Sequence, residues 1–235
     1  MPTRPTTLRL FVNHCPAALD HYDRNLPIDR SHPVRFGVGT AAHEVLYTMG
    51  TGGDVNELCR RLMRTGRGGE DAEGPLAPQD VLEGRALAEA WIASDVWALE
   101  DGTAEKVAPL PLDGAQFEVA RAFTAQWEPV PWDDPTCDRR TRIDYESAHD
   151  EHGAIVVTVR DYKSSWAHTD GQLDSLQRRF QAVAAWKSNP GAACLRLEVA
   201  NLRRRVIYRR TIWLDEEGER TLAQWAADLE LVIEA

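Results

Sequence analysis

The stretch Ile155-Val156-Val157-Thr158-Val159-Arg160-Asp161-Tyr162-Lys163-Ser164 decides the fold, because a run of apolar residues ends in an acid and a base two positions apart. The apolar run predicts a β-strand. Side chains alternate along a strand, so Asp161 and Lys163 leave the same face with Cα atoms about 6 to 7 Å apart. Asp144 can supply a second acid, because the polar turn at residues 150–153 predicts a hairpin that pairs the two segments. Two acids and a lysine indicate a metal site, and the alternative is a surface ion pair at a strand end.

Other motifs are ordered around this hairpin. A helix opens with Gly39-Thr40-Ala41-Ala42-His43, and an amphipathic helix at residues 172–187 carries Gln172 and Gln177. The chain therefore shows, in order, G-x-x-x-H, I-D at Ile143-Asp144, D-x-K and a glutamine-bearing helix. In this pattern the sequence resembles the RecB-like branch of the PD-(D/E)XK nuclease superfamily. The segment Leu10-Phe11-Val12-Asn13-His14-Cys15-Pro16, with Tyr22 after it, is similar to the opening C-P segment of that branch.

The predicted elements follow the order helix, strand, strand, helix, strand, strand, helix, which is typical of an α/β fold. We therefore expect a central mixed β-sheet flanked by helices, and the resemblance implies a restriction-endonuclease-like core. The 235 residues suit one domain, residues 1–235, with a helical insertion at about residues 52–130. Helices are predicted at residues 79–99 and 112–127, with a connecting segment at 101–111.

The composition is ordinary for a soluble globular protein, with 43% hydrophobic and 27% charged residues. No apolar run approaches the roughly 20 residues of a membrane span, and the N-terminus lacks a signal-peptide core, so we expect a cytoplasmic protein without a membrane partner. The four cysteines are widely separated and form no C-x-x-C pair: Cys15, Cys59, Cys137 and Cys194. Some RecB-like nucleases hold an iron–sulfur cluster with three cysteines near the C-terminus. No cysteine follows Cys194 here, so we expect no iron–sulfur cluster.

Charge is distributed unevenly along the chain. The net charge of -10 argues against a protein that coats nucleic acid nonspecifically. Between Arg196 and Arg210 there are six arginines and a single acid, Glu198, on two strands predicted at residues 194–202 and 205–214. This basic strip predicts contacts to the backbone of a nucleic acid, made by Arg203, Arg204, Arg205 and Arg209. The alternative is a solvated, arginine-rich hairpin.

The resemblance implies roles for the motif residues. It implies that the metal ligands are His43, Asp144, Asp161 and the carbonyl group of Tyr162. Hard oxygen ligands favour Mg²⁺ or Mn²⁺, and an imidazole ligand favours Mn²⁺. Lys163 would orient or help to deprotonate the attacking water and offset charge on the scissile phosphate. A lone helical histidine is more often a packed or surface residue, so the G-x-x-x-H spacing is what singles out His43.

Two further site positions have alternatives. Gln177 falls in the apolar stripe of its helix, where a buried amide needs a partner from the site or from the core backbone. The family pattern is Q-x-x-x-Y, whereas Gln181 stands at the tyrosine position here, and Gln172 is the alternative match. Glu118 resembles the acid that the family often carries on the helix before the Asp144 strand, and the alternative is a solvated helix charge.

Together these features predict a metal-dependent DNA exonuclease of RecB-like type, which acts on single-stranded or duplex ends in recombination, repair, or phage- or CRISPR-linked processing. The chain has no G-x-x-x-x-G-K-[ST] loop, so ATP-driven unwinding would need a separate partner such as a helicase, and a recombinase is another expected partner. A noncatalytic nucleic-acid-binding or assembly subunit with the same fold is the main alternative. A site-specific endonuclease is a third interpretation, for which we would expect an added recognition module or a dimer.

Overall fold

The protein has a three-layer α/β structure, with helices on both faces of one mixed β-sheet. This computed structural model describes residues 36–66, 74–110, 115–165 and 170–234. Over these residues the helices are α1 (Phe36–Gly50), α2 (Val55–Thr65), α3 (Pro78–Ile92), α4 (Leu176–Ser188) and α5 (Glu216–Glu234), with a 3₁₀ helix at Asp170–Asp174. The strands are β1 (Val96–Glu100), β2 (Thr103–Val107), β3 (Ala115–Phe123), β4 (Pro129–Val130), β5 (Arg139–Glu151), β6 (Ala154–Lys163), β7 (Cys194–Asn201) and β8 (Val206–Trp213). The predicted α/β class, a central mixed sheet flanked by helices, is confirmed.

The strands lie in the order β2-β1-β8-β7-β6-β5-β3-β4. β1 is parallel to β8 and β6 is parallel to β7, whereas the other neighbours are antiparallel. The crossover between β6 and β7 contains α4, as a parallel pair requires. One hydrophobic cluster joins the sheet to α4 and α5 and includes Val199. A second joins it to α1, α2 and α3 and includes Ala200, so the two clusters lie on opposite faces of the sheet.

The β5–β6 hairpin predicted from the sequence is present. The last residues of the ladder are Glu151 and Ala154, which leaves a two-residue turn of His152 and Gly153. Both turn residues have positive φ, 57° and 88°, as the tightest hairpin turn requires, because its backbone twist matches that of the flanking strands. β6 is buried on both faces over most of its length, which explains why its sequence is almost continuously apolar before Arg160.

The helix predicted at residues 112–127 is wrong, because Ala115–Phe123 forms β3. β3 pairs with β5 in an antiparallel ladder that runs from Ala115↔Ser147 to Phe123↔Arg139. The helix predicted at residues 79–99 ends at Ile92, and the connecting segment predicted after it contains β2.

The insertion expected at about residues 52–130 is therefore only partly helical. It contributes α2 and α3, which pack with α1 on one face, and it contributes β1, β2, β3 and β4 to the sheet. The glutamine-bearing helix also differs from the prediction, because residues 170–174 form a 3₁₀ helix and the α-helix begins at Leu176. The predicted β7–β8 hairpin and the last helix are present.

A close crossing of two helices positions α1, which carries His43. α1 and α3 cross closely at Gly84, where a Cβ atom would lie 2.6 Å from Cβ of Ala41 and 2.7 Å from the carbonyl oxygen of Val38. The absence of a side chain at Gly84 therefore allows the close contact between α1 and α3. Within the described residues, no helix is long and apolar enough to cross a membrane. The C-P segment at residues 10–16 and Tyr22 lie outside the described residues.

Candidate active site

The predicted site residues converge where β5 and β6 separate. The β5–β6 ladder ends with the pair Tyr145↔Arg160. Asp144 is the β5 residue just before Tyr145, beyond the end of this ladder. Its Oδ2 accepts a hydrogen bond of 3.0 Å from the backbone N–H of Tyr162. The Asp144 carboxylate thus takes the place of a strand partner, and its position relative to the end of β6 is fixed by the backbone.

His43 on α1 holds the other side of the same Tyr162 residue. Its Nε2 lies 2.6 Å from the carbonyl oxygen of Tyr162, and its Nδ1 lies 3.4 Å from Oδ2 of Asp144. A carbonyl oxygen can only accept, so Nε2 carries the proton in this contact and Nδ1 is the nitrogen that faces the carboxylate. The phenol of Tyr162 is not an anionic ligand, because burial raises its pKa to about 12.

The G-x-x-x-H spacing has a packing reason. A Cβ atom on Gly39 would lie 3.1 Å from Oγ of Ser164, the residue that follows β6. The first turn of α1 therefore comes close to the end of β6 at Gly39, and a side chain there would require the Ser164 hydroxyl to move. His43 stands one helical turn later, which brings its ring to Tyr162.

Asp161 and Lys163 form a second, buried cluster. Their side chains leave the same face of β6, as predicted, and Nζ of Lys163 lies 2.7 Å from Oδ2 of Asp161. Arg178 on α4 lies 3.0 Å from Oδ1 of Asp161, and Gln177 donates to the same oxygen at 3.4 Å. Burial of Asp161 opposes ionisation, but Arg178 and Lys163 outweigh burial and hold the pKa of this carboxyl well below its usual range.

The acids of the two clusters have different partners. His43, Glu118 and Asp144 each offer a ligand atom, and these atoms lie within 4.8 Å of one another, close enough to share one metal ion. Among the described residues Asp161 belongs to no such group, and the charged groups nearest to its oxygens are those of Lys163 and Arg178. The structure therefore brings His43 and Asp144 close together, and the third residue of this group is Glu118 and not Asp161.

Glu118 reaches this group from an irregular point in β3 and not from a helix. Its φ is 50°, which is uncommon for a residue with a side chain. The ladder pairs Phe117↔Tyr145 and Val119↔Ile143 flank it. Phe117 packs against the α1–α3 cluster whereas Val119 belongs to the α4–α5 cluster, so the strand changes faces at Glu118. The single sequence carries no signal for such an irregularity.

The three glutamines of this region have different positions. Gln177 contacts Asp161, whereas Gln172 lies in the 3₁₀ helix. Gln181, at the position where the family pattern has tyrosine, is fully buried and donates to the carbonyl oxygen of Arg142 at 2.9 Å. Sequence reasoning missed Arg178, because an arginine next to a second arginine on an amphipathic helix is normally a surface residue.

The predicted basic strip is largely neutralised by acids. Arg209 is nearly buried and contacts Glu198 at 2.9 Å and Glu105 at 2.7 Å, so its role is in an ion-pair network and not on an open surface. Arg203 donates to the carbonyl oxygen of Ser164 at 2.6 Å and pairs with Glu83. Arg204 and Arg205 are exposed, in the turn between β7 and β8, beside the end of β6.

Glu198 also joins Arg160 to this network. Nε of Arg160 lies 2.6 Å from Oε2 of Glu198, and both side chains are almost fully buried in the middle of the sheet. Burial opposes the ionisation of Glu198, but Arg160 and Arg209 outweigh it and lower the pKa of the carboxyl. A cavity of about 540 Å³ lies elsewhere, between the β1–β2 turn and the 3₁₀ helix, and neither His43 nor Asp144 lines it.

Comparisons with known proteins give no family. No family model matches the chain, and no curated protein matches it. One solved structure, "Crystal structure of SSO0001", aligns with 19% sequence identity over 49% of this chain and 50% of that chain, with a TM-score of 0.25. The aligned region is thus about half of each chain, and a likeness at this level carries no argument about fold or function.

Proposed function

We propose that this protein is a metal-dependent deoxyribonuclease, an exonuclease of RecB-like type that hydrolyses phosphodiester bonds at DNA ends. The observation that carries the proposal is the arrangement around Tyr162: Asp144 binds its N–H group and His43 binds its carbonyl group. Its chain neighbours Asp161 and Lys163 form the buried acid–base pair. A cytoplasmic role in recombination, repair, or phage- or CRISPR-linked processing, with a helicase or recombinase partner, is part of the same proposal.

The ligand set suits a divalent cation, Mg²⁺ or Mn²⁺. His43, Glu118 and Asp144 would hold it, with Tyr162 offering its carbonyl oxygen beside them. One nitrogen with two carboxylates favours Mn²⁺, since imidazole suits transition metals better than Mg²⁺. When bound, the cation would supply charge relief to the phosphoryl oxygens and a nucleophilic water at neutral pH.

The other residues of the site position charge. Lys163 is held by Asp161, so its ammonium group has a fixed place at the end of β6, where it can offset negative charge on a scissile phosphate and orient a water molecule. Arg178 keeps Asp161 ionised and therefore keeps Lys163 in place. Gln177 adds a donor to the same carboxylate.

The noncatalytic alternative has one observation in its favour. Both members of the D-x-K pair are buried, and Asp161 is compensated by two cations, as expected of a structural ion-pair cluster. If Asp161 were itself a metal ligand, as the resemblance implies, it would have to exchange part of this contact to approach a metal ion. A binding or assembly subunit would need no such exchange.

Cleavage and metal binding, measured separately, test the proposal. Labelled linear single- and double-stranded DNA and RNA are incubated with the parent, Asp144→Asn and Lys163→Met in Mn²⁺ or Mg²⁺, with a chelator as control. We expect Asp144→Asn to lose Mn²⁺ binding in calorimetry. We expect Lys163→Met to keep it and to cleave roughly 10²-fold or more slowly. A parent that leaves every substrate intact would rule the nuclease out. A Lys163→Met variant that cleaves as fast as the parent would rule out the role given to Lys163.

A further inference from the structure

An arginine–tryptophan cluster adjoins the candidate site on β5. The guanidinium carbons of Arg140 and Arg142 lie 5.3 Å and 5.4 Å from the centre of the Trp132 ring. All three side chains are half-buried, so part of each reaches the surface. We call Trp132, Arg140 and Arg142 the arginine ledge.

The arginine ledge continues directly into the candidate site. Arg140 and Arg142 alternate along β5 with Asp144, so the three side chains leave one face at steps of about 6 to 7 Å. The intervening Ile143 belongs to the α4–α5 cluster on the other face. The β3 residue opposite Arg142 is Ala120, a small and exposed side chain that leaves the face open beside the ledge.

The charge of Arg140 is not cancelled by an acid among the described residues. Its contacts there are the Trp132 ring and the sulfur of Cys137, which lies 3.2 Å from its Nε. Three acids lie near in sequence, and none of them pairs with Arg140 among the described residues. Asp133 is exposed. Asp134 accepts from Thr136, and Asp138 lies 3.8 Å from Arg139. This separates Arg140 from Arg203 and Arg209, whose charges are paired.

We propose that the arginine ledge binds the phosphodiester backbone of a nucleic-acid strand as the strand enters the candidate site. An arginine stacked on an indole ring keeps its planar fork of N–H donors available, and that fork matches the oxygens of a phosphate. Arg140, which stands in line with Arg142 and Asp144 on one face of β5, would guide the strand toward His43. The inference rests on the proposed function and adds to it the direction from which the substrate arrives.

Binding without cleavage tests this surface. The variants are Arg140→Gln and Trp132→Leu, and the control is Arg220→Gln, which removes an exposed, ion-paired arginine from α5. Fluorescence anisotropy with labelled single-stranded DNA, duplex DNA and RNA of one sequence is measured in chelator over a range of salt concentrations. Circular dichroism of each variant checks that it is folded.

We expect Arg140→Gln to weaken binding of single strands about tenfold and to reduce the salt slope by about 0.7, the value for one lost phosphate contact. Trp132→Leu should weaken binding by a smaller factor, because the arginines keep their charge but lose the ring that orders them. Arg220→Gln should match the parent.

The outcomes separate this inference from the proposed function. A parent that cleaves DNA while Arg140→Gln binds with the parent's affinity and salt slope overturns the arginine ledge and leaves the nuclease standing. A parent that binds through Arg140 but never cleaves upholds the ledge and removes the nuclease. A parent that neither binds nor cleaves overturns both.

Discussion

Replacing Asp161 should destabilise the whole protein, whereas replacing Asp144 should not. Asp161 is 1% exposed and is the counterion of Lys163 and Arg178. In Asp161→Asn the guanidinium of Arg178, itself 2% exposed, keeps its charge but has lost this counterion. Removing one partner of a buried pair typically costs about 3–5 kcal/mol. For a chain of this size that corresponds to a fall in Tm of about 6–20 °C.

Asp144→Asn lacks this penalty. The asparagine oxygen can still accept from the N–H of Tyr162, and the side chain is only partly buried beside His43. We expect a loss of about 1 kcal/mol or less, or a shift of a few degrees. Loss of cleavage in Asp161→Asn would therefore not identify a metal ligand by itself, whereas loss of Mn²⁺ binding in Asp144→Asn would.

The assay is thermal unfolding in chelator at pH 7, followed by circular dichroism. Glu198→Gln provides a positive control, because it removes the counterion of buried Arg160 and should cost a similar amount. The double variant Asp161→Asn with Arg178→Gln should be more stable than Asp161→Asn alone, because the stranded cation is gone. If Asp161→Asn melts within a few degrees of the parent, Arg178 does not depend on this carboxylate and our account of the cluster is refuted.

Two further predictions concern the scaffold. Gly84→Ala should destabilise the protein by about 1–3 kcal/mol despite the better helix propensity of alanine, because the new methyl group would press on Ala41 and on the Val38 carbonyl. Urea unfolding measures this, and an unchanged or higher midpoint would contradict the close crossing. Glu151→Gln should remove a small, pH-dependent contribution, because hydrogen bonding to Arg196 lowers the pKa of Glu151 to about 2. That contribution is present above the unfolded pKa of about 4.3 and is lost as the pH falls toward 2, so parent and variant should converge in Tm at low pH. At this half-exposed pair it should not exceed about 1 kcal/mol at pH 7.

The β5–β6 hairpin could be predicted because its signals are local. The apolar run before Arg160 and the glycine at residue 153 lie within a few residues of what they determine. β3 could not, because its burial pattern does not alternate. The strand changes faces at Glu118, so Phe117 and Val119 lie in different clusters although they are two residues apart. Because the apolar residues of this segment do not recur with a period of two, the sequence pattern predicts a helix. Pairing with β5 in the folded protein outweighs that local preference.

Charge counting along the chain does not show which arginines are paired with acids, for the same kind of reason. The number of positive residues between Arg196 and Arg210 can be counted in the sequence. How much of their charge remains unpaired depends on acids that are distant in the chain. Glu83 and Glu105 come from the segment expected to be an insertion, and they pair with Arg203 and Arg209. Arg140 borders the site and has no acidic partner among the described residues. The charges around it in the sequence are balanced, so a count of charges does not single it out.

The spacing of D-Y-K matters because both backbone groups of its middle residue, Tyr162, are bound by other site residues. The side chains of Asp161 and Lys163 face α4, and the ring of Tyr162 packs on the opposite face with α1 to α3. The N–H and carbonyl groups of Tyr162 lie between, bound by Asp144 and His43. One residue thus holds the acid–base pair and the metal-capable group in register, and neither group can shift along β6 without disturbing the other. If the lysine followed the acid by one position or by three, the two side chains would lie on opposite faces of β6. A separation of two positions puts them on the same face with a single residue between them.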